Sequence, residues 1–286
     1  MKKWKTLALA AMAAMALAAG ASAEAAGALS AEEARQIDVL ARTASGETGW
    51  LSGPEQGAES RRWRYAVTDL DHNGQLEIFK AIQGGNNSTP WVQCEELDAG
   101  KETRHWGIYF AGGTDVPDIL SSESAGQATM IRDAADGKYH YVFTTLKIID
   151  EYEIWNTKYA LTLSGDLLAE ELASMQVAKS GKDGSLSYRC YLPGWLKSEA
   201  ESAAPPPPPE EISKDRYRAI KEERFPGSEK GVAVFLWLDD ARVREALAEG
   251  SLSELLAESY VCFRDSGPDA AGISRPTRFS VFSYEQ

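Results

Sequence analysis

The 286-residue sequence predicts an α+β protein: an N-terminal helix, a mainly antiparallel β-sheet of hairpins, and a small mixed α/β lobe at the C-terminal end. Three observations predict it. Apolar residues recur at helical spacing just after residue 30. Between Trp63 and Leu192 they fall instead in short β-type runs joined by Asp-Gly and Ser-Gly dipeptides, the signature of hairpins. Beyond a run of five prolines, helical and apolar stretches alternate.

The chain opens on three lysines within five residues, then runs without charge from Thr6 to Gly20 and reaches Ala21-Ser22-Ala23. This is the charged, apolar and small-x-small order of a cleavable signal peptide, and its apolar part is shorter than the ~20 residues of a membrane-spanning helix. The expectation is a secreted or extracytoplasmic protein that begins near Glu24 and has no membrane span. No Cys follows the apolar stretch, so a lipid anchor is not indicated. Losing the three leader lysines shifts the formal net charge from −13 to −16. Acidity of that size argues against nucleic acid and anionic lipid as partners. The partner expected is an extracellular ligand of unknown identity, a glycan or a protein.

Ser30-Ala31-Glu32-Glu33 is a capping box, and Ile37, Leu40 and Ala41 continue it as a helix over Ala31 to Thr43. Within the polar loop from Ser45 to Ser60, Trp50 and Leu51 are expected to tuck under the sheet that follows. Candidate strands are Arg64 to Thr68, Leu76 to Ile82, Trp91 to Cys94, Trp106 to Phe110, Thr129 to Asp133, Tyr139 to Lys147, Tyr152 to Thr162 and Leu186 to Leu192. Asp136-Gly137, Ser164-Gly165 and Asp183-Gly184 supply turns, and connections this short make the sheet mainly antiparallel. Leu167, Leu168, Glu171 and Leu172 suggest one or two helical turns between Gly165 and Met175.

Composition divides the mature chain into residues 24–200, an acidic linker at 201–212 that contains Pro205 to Pro209 in polyproline II form, and a segment 213–286. That last segment is either a small lobe or a cap on the main sheet. Ser213 caps a helix that ends by Arg224, and Gly231 to Leu238 is apolar enough to be a strand covered on both faces. Asp240 is expected to cap Ala241 to Glu249, a short helix follows over Leu252 to Glu258, and Tyr260 to Arg264 and Arg278 to Phe282 read as closing strands. Cys94, Cys190 and Cys262 allow one disulfide with a thiol left over, or three buried thiols, and no CxxC spacing points to redox or zinc chemistry.

The segment that carries chemistry runs from Asp69 to Glu77. Oxygen-bearing side chains fall at loop positions 1, 3, 5 and 9 (Asp69, Asp71, Asn73 and Glu77), with Gly74 where the chain must turn sharply. Position 7, Gln75, offers a backbone carbonyl. Calcium takes six to eight hard oxygen ligands, and this spacing gathers most of them within nine residues. An EF-hand needs a glutamate at position 12 and helices on both sides; here position 12 is Lys80 and the flanks are strand-like. Asp, Asn and Gly also favour turns that bind nothing, but a turn alone leaves Glu77 unexplained.

The DxDxNGxxE pattern resembles the strand-loop-strand calcium turns of integrin-type FG-GAP and VCBS repeats. The stretch Tyr65-Ala66-Val67-Thr68-Asp69-Leu70-Asp71-His72-Asn73-Gly74-Gln75-Leu76-Glu77 is also similar to exported bacterial proteins of unknown function that carry a YAVTDLDxNGxLE segment after an N-terminal helix. The resemblance covers residues 30 to 85. It implies Asp69, Asp71, Asn73, Gln75 and Glu77 as ligands of a structural Ca2+. There is one such loop, whereas a propeller repeats its loop in every blade.

No GxSxG, HExxH, SxxK, Walker or GxGxxG pattern occurs, and the three histidines, His72, His105 and His140, adjoin no nucleophile motif. Glu95-Glu96, Asp150-Glu151, Glu153 and Asp239-Asp240 are the carboxylates a glycosidase would use, and Trp91, Trp106, Tyr109, Tyr152, Trp155 and Trp195 are aromatics able to stack on sugars. With 43 acids in the chain, such pairs also arise by chance. Asn86 and Asn87 start glycosylation sequons, read here as loop residues. The expectation is a calcium-stabilised binding or surface-interaction protein without identifiable catalytic residues; the alternative is a secreted hydrolase acting on carbohydrate or cell-wall polymer.

Overall fold

The computed structural model describes residues 28–45, 49–51, 63–82, 91–97, 104–108, 110–111, 119–121, 126–150, 153–178, 185–190 and 209–266. The leader expected at Met1 to Ala23, the sequons, most of the proline run and the strand expected at Arg278 to Phe282 lie outside these residues. None of the described helices is long and apolar enough to cross a membrane.

The α+β class is as expected, built on two sheets. Helix α1 (Ala31–Arg42) carries the capping box: the Ser30 hydroxyl accepts from Glu33 N, and the Glu33 carboxylate accepts from Ser30 N. It is followed in chain order by β1 (Trp63–Thr68), β2 (Glu77–Ile82), β3 (Trp91–Leu97), β4 (Arg104–Ile108), β5 (Phe110–Ala111) and β6 (Gln127–Arg132). Long strands β7 (Tyr139–Asp150), β8 (Glu153–Ser164) and β9 (Asp166–Ala178) form a meander that leads to β10 (Ser185–Cys190). After the proline run come β11 (Glu210–Glu211), α2 (Lys214–Arg224), β12 (Glu229–Val234), β13 (Leu238–Asp239), α3 (Asp240–Glu249) and α4 (Leu252–Arg264).

One sheet has the order β13-β1-β2-β3-β4; the other runs β11-β10-β9-β8-β7-β6-β12, with β5 added parallel to β9. Period-two alternation gives each sheet two buried faces. On the five-stranded sheet, Phe79, Ala81, Val92 and Cys94 meet Met130, Tyr141, Phe143 and Leu161 of the second sheet. Its opposite face presents Tyr65, Val67, Leu76 and Ile78 to α1, α3 and α4, and Trp50 is fully buried there with its indole donating to Leu40 O. Helix α2 covers the outer face of the second sheet through Tyr217 and Ile220. The layers are thus helices, sheet, sheet, helix.

The structure corrects several boundaries. Gly165 to Met175 is not helical but lies in β9: the β8–β9 ladder shifts register between Lys158 and Tyr159, leaving Leu172 as the extra residue of a bulge. The bulge moves the apolar alternation by one, and Leu167, Leu168 and Leu172 then mimic helical spacing. Tyr260 to Arg264 is the last part of α4 rather than a strand; Leu252, Leu255, Leu256, Ser259, Tyr260 and Phe263 form one buried stripe, which outweighs the β preference of Tyr-Val-Cys-Phe. Gly231 to Leu238 is not one strand covered on both faces. Strand β12 is an edge with Val232 exposed, and Phe235 to Trp237 cross between the sheets before β13 pairs with β1. Asp239, not Asp240, caps α3 by accepting from Arg242 N. Among the described residues, the segment after the prolines adds its strands to both sheets and its helices to the layers that cover them. All three cysteines are free thiols, with Cys94 and Cys190 buried.

The crossing is held at Gly126, whose carbonyl accepts from Phe235 N at 2.6 Å. Its φ is +85°, and a Cβ there would sit 2.8 Å from Phe235 O. At Gly137 (φ +75°) a Cβ would meet nothing within 4 Å. Gly137→Ala should therefore cost only the conformational term of about 1–2 kcal/mol, and Gly126→Ala clearly more. Urea unfolding of the two variants measures the difference, and equal losses would contradict this account of the crossing.

Candidate metal centre

Strand β1 ends at Thr68 and β2 starts at Glu77, in register with each other as an antiparallel pair. The eight intervening residues fold back through their own short polar side chains. The Asp69 Oδ2 accepts from Gly74 N (3.1 Å), Asp71 Oδ1 from Asn73 N (3.2 Å), and Asn73 Oδ1 from Gln75 N (2.6 Å). Left-handed backbone at His72 (φ 56°) and Gly74 (φ 85°) makes the reversal.

This folding brings Asp69, Asp71 and Glu77 together: one carboxylate oxygen from each lies within 4.8 Å of the others. Two oxygens on one calcium at 2.3–2.6 Å stand no more than about 5 Å apart, so the spacing fits a single ion. The donor set is all oxygen, which suits a hard cation rather than zinc. Asp69 Oδ1 is buried and has no hydrogen-bond partner, an acceptor left open on one of the three carboxylates. Glu77 is fully buried and accepts from the Thr68 hydroxyl (2.9 Å) and Leu70 N (3.0 Å).

Of the five residues expected to ligate, Asn73 and Gln75 play visible parts in shaping the turn. The Asn73 amide nitrogen donates to Asp71 Oδ2 and to Glu96 Oε1 (2.8 Å), and Gln75 is engaged through its N–H. Two further residues belong to the site. Glu96 on β3 stands directly opposite Glu77 in the ladder, a like-charge pair that is unfavourable unless something positive lies near. Gln36 on α1 is buried and bonds both sides of the turn, its amide donating to Gly74 O (2.8 Å) and its carbonyl accepting from Leu76 N (2.8 Å). A glutamine one turn before Leu40, on the apolar stripe of an amphipathic helix, is the only sequence trace of this clamp.

The loop also reaches the second sheet. Tyr141 Oη donates to Leu70 O (2.8 Å), so in the contact between His72 Nε2 and Tyr141 Oη (3.3 Å) the imidazole is the donor. The His72 ring lies against Tyr139 at 3.9 Å between centroids. Burial lowers the pKa of His72.

Negative charge accumulates here. Burial, with repulsion from Asp71 and Glu96, pushes Asp69 up to about 6. Burial and then Asp69 push Glu77 well above the usual carboxylate range, and burial followed by Glu77 does the same for the Tyr141 phenol. An acid whose folded pKa lies above its unfolded value costs stability as it ionises. For Asp69 that cost is absent below about pH 4 and complete above about pH 6. In chelator, Asp69→Asn should therefore gain in melting temperature over the wild type as pH rises from 4.5 to 7. A difference that stays constant with pH would contradict the assignment.

Four of the acids considered for hydrolysis have other partners. Glu95 pairs with Lys80, Glu96 accepts from Asn73, Asp239 caps α3, and Asp240 accepts from the Tyr65 hydroxyl and Arg244. Trp155 packs under the Arg189 guanidinium, 3.7 Å from the ring centre. Tyr109, Tyr152, Trp195 and Glu151 lie outside the described residues. A second group, Asp133, Asp136 and His140, gathers at the β6–β7 turn, where Asp133 and Asp136 accept from Ala135 N and Lys138 N. No known family, curated protein or solved structure matches the chain.

Proposed function

We propose that the 69–77 loop binds one calcium ion through Asp69, Asp71 and Glu77, with Asn73 and the Gln75 carbonyl as the remaining protein ligands. On this reading the protein is an extracytoplasmic binding or surface-interaction protein whose fold the ion stabilises. The observations that carry it are the convergence of three carboxylates and the buried oxygen of one of them, Asp69 Oδ1, that has no hydrogen-bond partner. Burying several acids without a cation is costly, and a divalent ion removes that cost by letting them stay ionised. The leader at Met1 to Ala23 supports the same reading, because calcium is abundant outside the cytoplasm and a weak site there is filled. The commitment of Glu95, Glu96, Asp239 and Asp240 to structural contacts favours binding over glycan hydrolysis.

The test is a pair of melting curves, in calcium and in EDTA, for the wild type and Asp71→Ala. Calcium should raise the wild-type melting temperature, magnesium should do so less, and Asp71→Ala should respond to neither. Superimposable wild-type curves would sink the reading.

A further inference from the structure

The geometry points to a coupling between cation binding in the loop and the seating of helix α1 on the five-stranded sheet, carried by Gln36. This rests on the calcium reading above and adds to it a regulatory element that lies outside the loop.

Gln36 stands 38 residues before Gly74 and 40 before Leu76, yet its one side chain closes hydrogen bonds to both. The two backbone groups flank Gln75, so the glutamine fixes the spacing of the stretch that turns back from Gly74 towards Glu77. Gln36 is 5% exposed, and its amide nitrogen bonds both Glu32 Oε1 and the loop. On the next residues of the same helix, Ile37, Val39 and Leu40 share one core with Leu76 and Ile78, the residues immediately before and after Glu77. Helix α1 is held from its other side by α4, where the Tyr260 hydroxyl donates to Glu33 (2.9 Å) and Arg264 pairs with the same carboxylate (3.4 Å). Gln36 therefore offers no ligand atom to an ion, but the carbonyl of Gly74 and the amide of Leu76 can keep their positions only while α1 is seated. If α1 lifts, the buried amide of Leu76 and the carbonyl of the more exposed Gly74, both beside the carboxylates, lose their partner. Linkage then requires the reverse: an ion that prefers the ordered turn must hold α1 down by the same factor. Gln36 is thus a positioning residue, and α1 is a reporter of occupancy.

The experiment is calcium titration by calorimetry on the purified full chain, together with amide hydrogen exchange of α1 with and without calcium. Three proteins are compared: wild type, Gln36→Ala and Ile220→Ala. Ile220 is buried in the α2 cluster and far from the loop, so its variant reports what general destabilisation does. Wild-type α1 amides should exchange about tenfold more slowly in calcium, and Gln36→Ala should weaken the calcium Kd by about the same factor, within the usual range for coupled sites. Ile220→Ala should keep the wild-type Kd. If calcium binds but leaves α1 exchange unchanged, or if Gln36→Ala binds as tightly as wild type, the coupling is wrong and the calcium site stands. If Gln36→Ala does not fold, the exchange of wild-type α1 decides alone. No calcium heat from the wild type would remove both claims.

Discussion

Replacing Lys80 by Ala should destabilise the protein by about 3–5 kcal/mol, the usual cost of taking one partner from a buried ion pair. Lys80 is 2% exposed and Glu95 is fully buried. Their side chains meet at 2.6 Å, and the ammonium also donates to Trp50 O at 3.2 Å and lies 5.7 Å from the Trp63 ring centre. Both side chains project from the face of β2 and β3 that α1 and Trp50 cover. The substitution takes the cation from a carboxylate that water cannot reach. For a chain of this size, the loss corresponds to a fall in melting temperature of roughly 10 °C. Lys80→Met combined with Glu95→Leu should recover most of it, because well-packed apolar residues replace a buried pair at little cost. If the double variant were as unstable as the single one, the pair would owe its importance to shape and not to charge.

Withdrawal of calcium is expected to have the next largest effect. At a calcium concentration a hundred times its Kd, the ion adds about 2.7 kcal/mol to folding, which is roughly 5–10 °C in melting temperature here. Asp71→Ala should remove that increment while leaving the melting temperature in EDTA nearly unchanged. The reason is that Asp71 serves the turn only through Asn73, whereas Asp69 and Glu77 also hold Gly74, Thr68 and Leu70. Glu77→Ala should behave differently and lose stability in both conditions, since it empties a fully buried position. Equal calcium shifts in the wild type and Asp71→Ala would mean that the ion binds elsewhere.

What could be read from the residues themselves was mostly local. The Ser30 capping box, the hairpin turns at Asp136-Gly137 and Ser164-Gly165 and the burial of Trp50 follow from spacings of a few residues, and the structure has them where those spacings place them. The approach of Asp69, Asp71 and Glu77 is equally local, since a nine-residue loop that reverses at His72 and Gly74 brings them together. Misreadings cluster where a distant partner decides. Leu172 sits in a bulge that only the β8 partner defines. The end of α4 is helical because its buried stripe packs on distant elements, where Ser259 also bridges Val67 N and Leu236 O. The apolar run 231–238 owes its composition to a passage through two cores and not to a central strand. Gln36, and the place of Glu96 beside the loop rather than in a hydrolytic pair, carry no local signal for the same reason: each reaches the loop across a tertiary contact that no motif encodes.

The most direct measurement is calorimetric titration of calcium into the chelator-treated protein at pH 7. One ion per chain, with binding that weakens as the pH is lowered through about 6 and Asp69 takes up its proton, is the predicted result. A flat titration at millimolar calcium, or a binding curve that Asp71→Ala leaves unaltered, would contradict it.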